Sequence, residues 1–300
     1  MTDSFRRVPF TPADADAVVA FCVGHGGPYD AVLVKTLLVD MTSDPGGVLV
    51  VRDADGIALV AAVVDRMRNG ADAASLETLG LRVPLSDSGF ARLVVDPAVA
   101  FARSGARRAL HVALHPERRA APDPERVLRD AGFAPAYDGF EMRRPASLPL
   151  PPSDPLPPGW TWAALDAARV DDAYAALAEM FRDAPATHLR PLEDFRAAVT
   201  SGVARWRALL DGDRVAGLVR AIAHGNDRGE IRVLGRRPDY RGQGLGPRLL
   251  VEGLRVLAES GARAIDLSVE AANERALDLY RRFGFTVLTR TPVFGLALRG

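Results

Sequence analysis

The run Gly229-Glu230-Ile231-Arg232-Val233-Leu234-Gly235-Arg236-Arg237-Pro238-Asp239-Tyr240-Arg241-Gly242-Gln243-Gly244-Leu245-Gly246 carries the chain from one kind of pattern into another. Gly229–Leu234 is strand-like. From Leu245 to Ser260, apolar positions that include Leu249 and Val256 recur at helical spacing, and Gly261 stands where it can end the helix. Between them, Arg241–Gly246 sets a basic residue and closely spaced glycines at a strand-to-helix junction. Glycine lets the backbone come close to an anion, and the unpaired N–H groups of a helix start face it with the positive end of the dipole. Taken alone, the same run is equally a tight turn joining two core elements, because short glycine motifs recur by chance. Its surroundings shift the balance.

Upstream, Pro145–Gly159 (PASLPLPPSDPLPPG) cannot join a helix or a central strand and is expected to run extended as a semi-stiff spacer. It divides the chain nearly in half: a first domain at 1–144, a linker at 145–159 and a second domain at 160–300. The halves match in order. Val48–Val64 and Trp206–Ala223 are each two apolar runs around an Asp/Gly turn, hence hairpins. Ser104-Gly105-Ala106-Arg107 returns as Ser260-Gly261-Ala262-Arg263, and Ala131-Gly132-Phe133 returns as Phe283-Gly284-Phe285. Each half therefore predicts a helical opening, a hairpin, a third strand, a turn, a long amphipathic helix, another strand, a helix ending at Gly-Phe, and a last strand. In the second half the last three fall at Ala264–Val269, Asn273–Arg282 and Thr286–Leu298. The expected class is α/β, with two tandem domains that each fold a mixed, mostly antiparallel sheet flanked by helices.

Composition narrows the partners. With 38 basic and 38 acidic side chains the chain has no overall field for nucleic acid or an anionic membrane. One cysteine, Cys22, makes no internal disulfide and fits a reducing compartment. Met1–Arg7 lacks the apolar core of a signal peptide, and no stretch approaches the roughly 20 apolar residues of a membrane span. The expectation is a soluble cytoplasmic protein with no nucleic-acid or membrane partner; the oligomeric state is left open.

Arg241–Gly246 and the block Asn273-Glu274-Arg275-Ala276-Leu277-Asp278-Leu279-Tyr280-Arg281-Arg282-Phe283-Gly284-Phe285 together resemble the two signature blocks of the GNAT superfamily of acyl-CoA-dependent N-acetyltransferases. The close match covers about Glu230 to Phe285; the rest of the second half fits that fold, and the first half resembles it in outline. The whole resembles a tandem GNAT protein, an arrangement similar to that of mycothiol synthase. The resemblance implies that Arg241, Gly242, Gln243, Gly244, Leu245 and Gly246 bind the pyrophosphate of acetyl-CoA through backbone N–H groups. It implies that Leu234, Gly235 and Arg236 hold the pantetheine arm and polarise the acyl carbonyl, and that Asn273 touches that arm. It also implies catalytic roles for Glu230, as base toward the amine directly or through water, and for Tyr280, as donor to the thioester sulfur and acid toward the leaving thiolate. Each residue has a plainer reading beside this one: a strand-end glutamate paired with Arg232, a core tyrosine with a satisfied hydroxyl, and an asparagine N-cap before Glu274. Arg236 departs from the family, which usually carries a small apolar residue there.

The first half departs further. Aligning the Ser-Gly-Ala landmarks sets Leu85, Ser88 and Phe90 over Arg241, Gly244 and Gly246, with Asp87 adding a like charge where phosphate would sit. Counting back from Gly132-Phe133 sets Ala121 and Leu128 opposite Asn273 and Tyr280. This half is expected to be a degenerate copy that lacks the CoA pyrophosphate loop and shapes or supports the other. His111 and His115 lie on a strand pattern running into Pro116, which does not bring them onto one helical face, so no metal is expected. Met180–His188 corresponds to the family loop that overhangs the acceptor, or is an ordinary helix connection. The favoured expectation is transfer of acetyl from acetyl-CoA to a primary amine of a small molecule by direct attack. The alternatives are the same chemistry on a peptide or protein amine, or a non-catalytic acyl-CoA-binding sensor; retention of both Glu230 and Tyr280 favours catalysis.

Overall fold

Both hairpins expected around Asp/Gly turns are present in the computed structural model, which describes residues 5–25, 45–68, 71–105, 107–116, 119–152, 155–182, 192–200, 204–224 and 227–298. Strands β2 (Val48–Asp53) and β3 (Gly56–Arg68) pair antiparallel, as do β8 (Arg205–Asp211) and β9 (Arg214–His224). The chain divides into two units, one of Met1–Asp138 with Arg290–Gly300 and one of Gly139–Thr289.

In the first unit the order is β1 (Arg6–Val8), α1 (Ala15–His25), the β2–β3 hairpin, β4 (Ala71–Leu81) and α2 (Asp87–Phe90). A π turn, Ala91–Val95, leads on into α3 (Asp96–Ser104), β5 (Ala109–Ala113), α4 (Pro124–Asp130) and the start of β6 (Ala134–Pro145). Its sheet runs β1-β2-β3-β4-β5 and takes the end of β12 (Thr286–Ala297) beside β5. Alternation along the strands builds two cores. One, with Leu59, Leu76, Val94, Leu110 and Leu128, also takes Phe294 and Leu298 from the chain's end; the other sets Val18 and Cys22 of α1 against Val60, Val64 and Leu79.

The second unit contains β7 (Trp160–Ala164), α5 (Val170–Met180), α6 (Leu192–Thr200), the β8–β9 hairpin and β10 (Arg228–Arg236). After these come α7 (Leu245–Glu259), β11 (Ala264–Glu270), α8 (Glu274–Arg282) and the start of β12. Its sheet runs β7-β8-β9-β10-β11 and ends on Gly139–Pro145 of β6, antiparallel to β11. One face buries Ile231, Ile265 and Leu267 under Leu254 of α7 and Tyr280 of α8. The other buries Trp206, Leu218 and Ile222 under Leu177 of α5 and Phe195 of α6.

The division therefore falls at 138/139 and 289/290 instead of at the proline-rich stretch, because each half's last strand belongs in part to the other unit's sheet. The described part of the stretch, expected as a semi-stiff spacer, is tied to the second unit. Arg144, 1% exposed, donates to the carbonyls of Phe283 (2.7 Å), Pro145 (3.0 Å), Leu148 (2.8 Å) and Pro149 (2.9 Å). Arg248 of α7 donates to Pro155 O at 2.9 Å. Proline lacks a donor but keeps its carbonyl, so arginine nitrogens hold the described part of this segment onto the second unit.

Candidate active site

Strands β10 and β11 are parallel and stay in register only from Arg228↔Ala264 to Ile231↔Leu267, although both run on, to Arg236 and Glu270. The cause lies on the other side of β10. Its register with β9 passes from Ile231↔Ala221 directly to Val233↔Arg220, so Arg232 is the extra residue of a bulge. A bulge bends and twists its strand, and the parallel strands part immediately beyond it. Val233–Arg236 remain paired to β9 through one edge, so Leu234, Gly235 and Arg236 offer their other edge to the slot between β10 and β11.

At the end of that edge the chain is pinned. Arg237, 3% exposed, donates to Val215 O at 2.7 Å, and its guanidinium is held by Asp172 and Glu179. A short turn at Pro238–Tyr240 follows, where the Tyr240 hydroxyl donates to Asp211 at 3.0 Å. Arg241, Gly242, Gln243 and Gly244 are then exposed. Gly242 (φ 83°) and Gly244 (φ 71°) are left-handed, the region where an L side chain is strained, and nothing lies within 4 Å of where their Cβ atoms would be. Leu245 and Gly246 open α7, and Pro247 in its first turn removes an N–H that has no intrahelical acceptor. The surrounding charge is positive: burial, then repulsion from Arg275 and Arg241, holds the Arg236 guanidinium below its ordinary value. Among the described residues none of these three arginines has a carboxylate partner. Left-handed glycines, a helix start and clustered cations form a cradle for an anion, and the slot leads into it.

Tyr280 and Glu230 flank this slot from opposite faces of the sheet. Tyr280 lies in the core with Ile231, Leu267 and Val269, its ring 5.9 Å from that of Phe285. Burial pushes its phenol up to about 12, so it remains protonated. Glu230 alternates with Ile231 and thus faces away from α7. Burial alone would raise its carboxyl, but Arg232, whose Nη1 is 2.9 and 3.2 Å from the two carboxylate oxygens, and His224, 3.4 Å away, outweigh it and hold the group at about 2. Alternation along β11 and β6 puts Asp266 and Arg143 on the same face; Arg143 donates to both Asp266 oxygens (2.7 and 3.1 Å) and Arg228 donates to Oδ2. Asp266, Arg143, Arg228 and His224 were not among the residues singled out from sequence. The polar-apolar alternation of Ala264–Glu270 was the available signal for this charged face.

Asn273 caps α8, its Oδ1 accepting from Ala276 N at 3.2 Å, as the plainer reading required. Of Met180–His188, only Met180, Phe181 and Arg182 are among the described residues; Met180 Sδ would lie 3.0 Å from a Cβ on Gly235. In the first unit the helix opposite Asn273's helix is α4, and its cap is Asp123, accepting from Arg126 N at 3.1 Å. The expected match of Ala121 to Asn273 is thereby corrected, since α4 is shorter than α8 and counting back overshoots. Leu128 does correspond to Tyr280: Phe133 N–H donates to Leu128 O as Phe285 N–H donates to Tyr280 O. Among the described residues no group of His, Cys, Asp and Glu has metal-holding geometry, and no helix is long and apolar enough to cross a membrane.

The acetyltransferase (GNAT) family model matches residues 170–285, which hold the slot, the turn and Tyr280. A mycothiol acetyltransferase of Clavibacter michiganensis subsp. michiganensis is 31% identical over 262 residues, covering 84% of this chain and 80% of that protein. Matches to the proteins of the same name from Propionibacterium freudenreichii (49% identical over 65 residues, 22% of this chain) and Thermobispora bispora (33% over 175 residues, 55% of this chain) span 21% and 59% of those proteins' length. The fold matches a GCN5-related N-acetyltransferase from Sphaerobacter thermophilus (TM-score 0.67, 22% identity, 100% and 98% of the two chains). It matches a tandem GNAT protein from the clavulanic acid biosynthesis pathway equally well (TM-score 0.68, 15% identity, 99% of each). The likeness thus extends from the second unit's turn to the doubled fold as a whole, and the chain belongs to the GNAT family of acetyltransferases.

Proposed function

We propose that this protein transfers an acetyl group from acetyl-CoA to a primary amine of a small molecule, using the second unit's slot. The observation that carries the reading is the slot beyond the Arg232 bulge, ending in an exposed turn whose two glycines are left-handed, beside three arginines that have no carboxylate partner among the described residues. Acetyl-CoA, when bound, supplies an activated thioester. Gly242, Gln243, Gly244, Leu245 and Gly246 would meet its pyrophosphate through backbone N–H groups, and Arg236 and Arg241 would add charge. Leu234 and Gly235 would pair with the pantetheine arm along the free edge of β10, with Asn273 near it. The relatives' name, mycothiol acetyltransferase, supports a small-molecule acceptor over a protein one.

The two candidate catalytic groups then differ in what they can do. A phenol held at about 12 is too weak an acid to give its proton outright to a thiolate, whose ordinary value is roughly 8.5, so Tyr280 donates a hydrogen bond that strengthens as charge builds on sulfur. A carboxylate held at about 2 would take a proton directly from an alkylammonium near ~10 only uphill by roughly 11 kcal/mol. In this geometry Glu230 therefore attracts and orients the ammonium, and the proton leaves through water before the free amine attacks the thioester carbonyl. The tetrahedral adduct loses its extra nitrogen proton to water and collapses to amide and thiolate, which takes up a proton from water. Incubating the full chain with acetyl-CoA and a panel of small amines, while following free thiol, tests the reading. Amine-dependent thiol release with an acetylated product supports it; tight acetyl-CoA binding without release under any amine would leave the sensor reading in its place.

A further inference from the structure

The first unit holds a cleft of about 590 Å³ that acyl transfer does not use. It lies on the side of β5 away from β4, walled by the residues after β5, by α4, by the start of β6 and by Arg290–Phe294. Neither β4 nor α2 borders it, so it is not the first unit's counterpart of the slot. Its size is within the several hundred Å³ typical of small-molecule sites.

Its walls combine flat apolar surfaces with excess positive charge. Tyr137, Pro135 and Pro292 give it apolar surface, Phe294 lies buried beneath Arg129, and Arg119, Arg129 and Arg290 are the cations. The two carboxylates present are already engaged, Asp138 by Arg290 at 2.6 Å and Glu125 by Arg129 at 3.7 Å. Arg129 also lies over the Phe294 ring, 5.1 Å from its centre, which spreads its guanidinium along an aromatic wall. Arg119 is exposed and has no carboxylate partner among the described residues. Three cations against two carboxylates leave one positive charge over, which matches a monoanion better than a dianion. We propose that the first unit binds a small carboxylic acid bearing a flat ring, its carboxylate on Arg119 and its ring against the aromatic and prolyl walls.

Calorimetric titration of the full chain with benzoate, and with benzamide as the uncharged isostere, tests this. One saturable benzoate site per chain is expected, with benzamide weaker by about tenfold because it lacks the charge-assisted bond. Arg119→Ala, an exposed position, should weaken benzoate by a similar factor and leave acetyl-CoA binding unchanged; Gly244→Glu should do the reverse. Absence of saturable benzoate binding at millimolar concentration, equal binding of benzamide, or loss of benzoate in Gly244→Glu would each overturn the proposal. None of these outcomes depends on whether the second unit transfers acetyl.

Discussion

Each unit delivers a third strand to the start of a helix, and the two junctions have opposite fates. In the second, Arg241–Gly244 stands exposed, with two left-handed glycines and open space around both. In the first, Leu85 is 1% exposed and its N–H donates to Ala120 O at 2.8 Å, while the Ser86 hydroxyl caps Gly89 N at 3.1 Å. Asp87 then accepts from Asp123 N at 2.9 Å and pairs with Arg126. There the protein's own carboxylate and loop occupy the space an anion would need. The difference lies in whether the donors of a helix start are already answered by the protein itself, which depends on side chains two or three positions either way.

The strongest way to break this contrast is Gly244→Glu. A side chain at φ 71° is strained by about 1 kcal/mol, and a carboxylate there opposes the bound pyrophosphate. Acetyl-CoA affinity should fall by at least about 100-fold in a calorimetric titration, and the wild type should bind one acetyl-CoA per chain. Two equivalent sites in the wild type would mean that the first unit's junction is open to the ligand, and unchanged affinity in the variant would place the site away from Gly244.

Next is Arg144→Ala, which asks whether the second unit depends on the first half's last strand. The change strips donors from four backbone carbonyls in a buried place, and should destabilise the unit by roughly 3 kcal/mol or more in urea unfolding. A fragment beginning at Pro158 lacks this strand altogether and should not fold as the intact unit does. Unchanged stability of the variant would mean that Gly139–Pro145 only decorates the sheet edge.

Glu230 gives an effect of similar size, expressed through pH. Its carboxyl is held at about 2 against an ordinary 4.5, so its contribution of roughly 3 kcal/mol is present above 4.5 and disappears as pH falls toward 2. Urea midpoints of Glu230→Gln should lie below wild type at pH 7 and converge with it near the acid end of that window. A constant difference at every pH would mean that the ion pairs are not what lowers the group. Tyr280→Phe should be milder for stability and act on turnover, lowering kcat by about tenfold while acetyl-CoA affinity stays within about threefold. A parallel loss of both would make Tyr280 a packing residue alone.

Most of this was legible wherever a local pattern decides the structure. The hairpins, Leu245–Glu259 and Glu274–Arg282 follow from periodicity, and Gly242 and Gly244 from the turn they form. What sequence did not carry was set by partners far along the chain. Gly139–Pro145 looks like the end of one half but pairs with β11, and no local signal separates that pairing from one with β5. Arg232 looked like an ordinary strand residue, and only its register against β9 reveals the bulge that opens the slot. For Glu230 the resemblance implies a base while the plainer reading pairs it with Arg232, and the structure makes that pair. What the sequence did not carry is His224 on the neighbouring strand, which with Arg232 holds the carboxyl low.

The smallest effect sharpens the contrast from the closed side. Asp87→Ala removes the carboxylate from the first unit's junction, and with it the bonds to Asp123 N and Arg126. Arg126 is more than half exposed, so water replaces much of that pairing and the cost should be about 1 kcal/mol. Acetyl-CoA stoichiometry should stay at one per chain, because Leu85 still fills the cleft, Ser86 still caps the helix, and no left-handed glycines expose the donors. If Asp87→Ala instead gained a second acetyl-CoA site, the one carboxylate would be the whole difference between the junctions. One site retained would place the difference in the backbone, where undoing it requires rebuilding the turn.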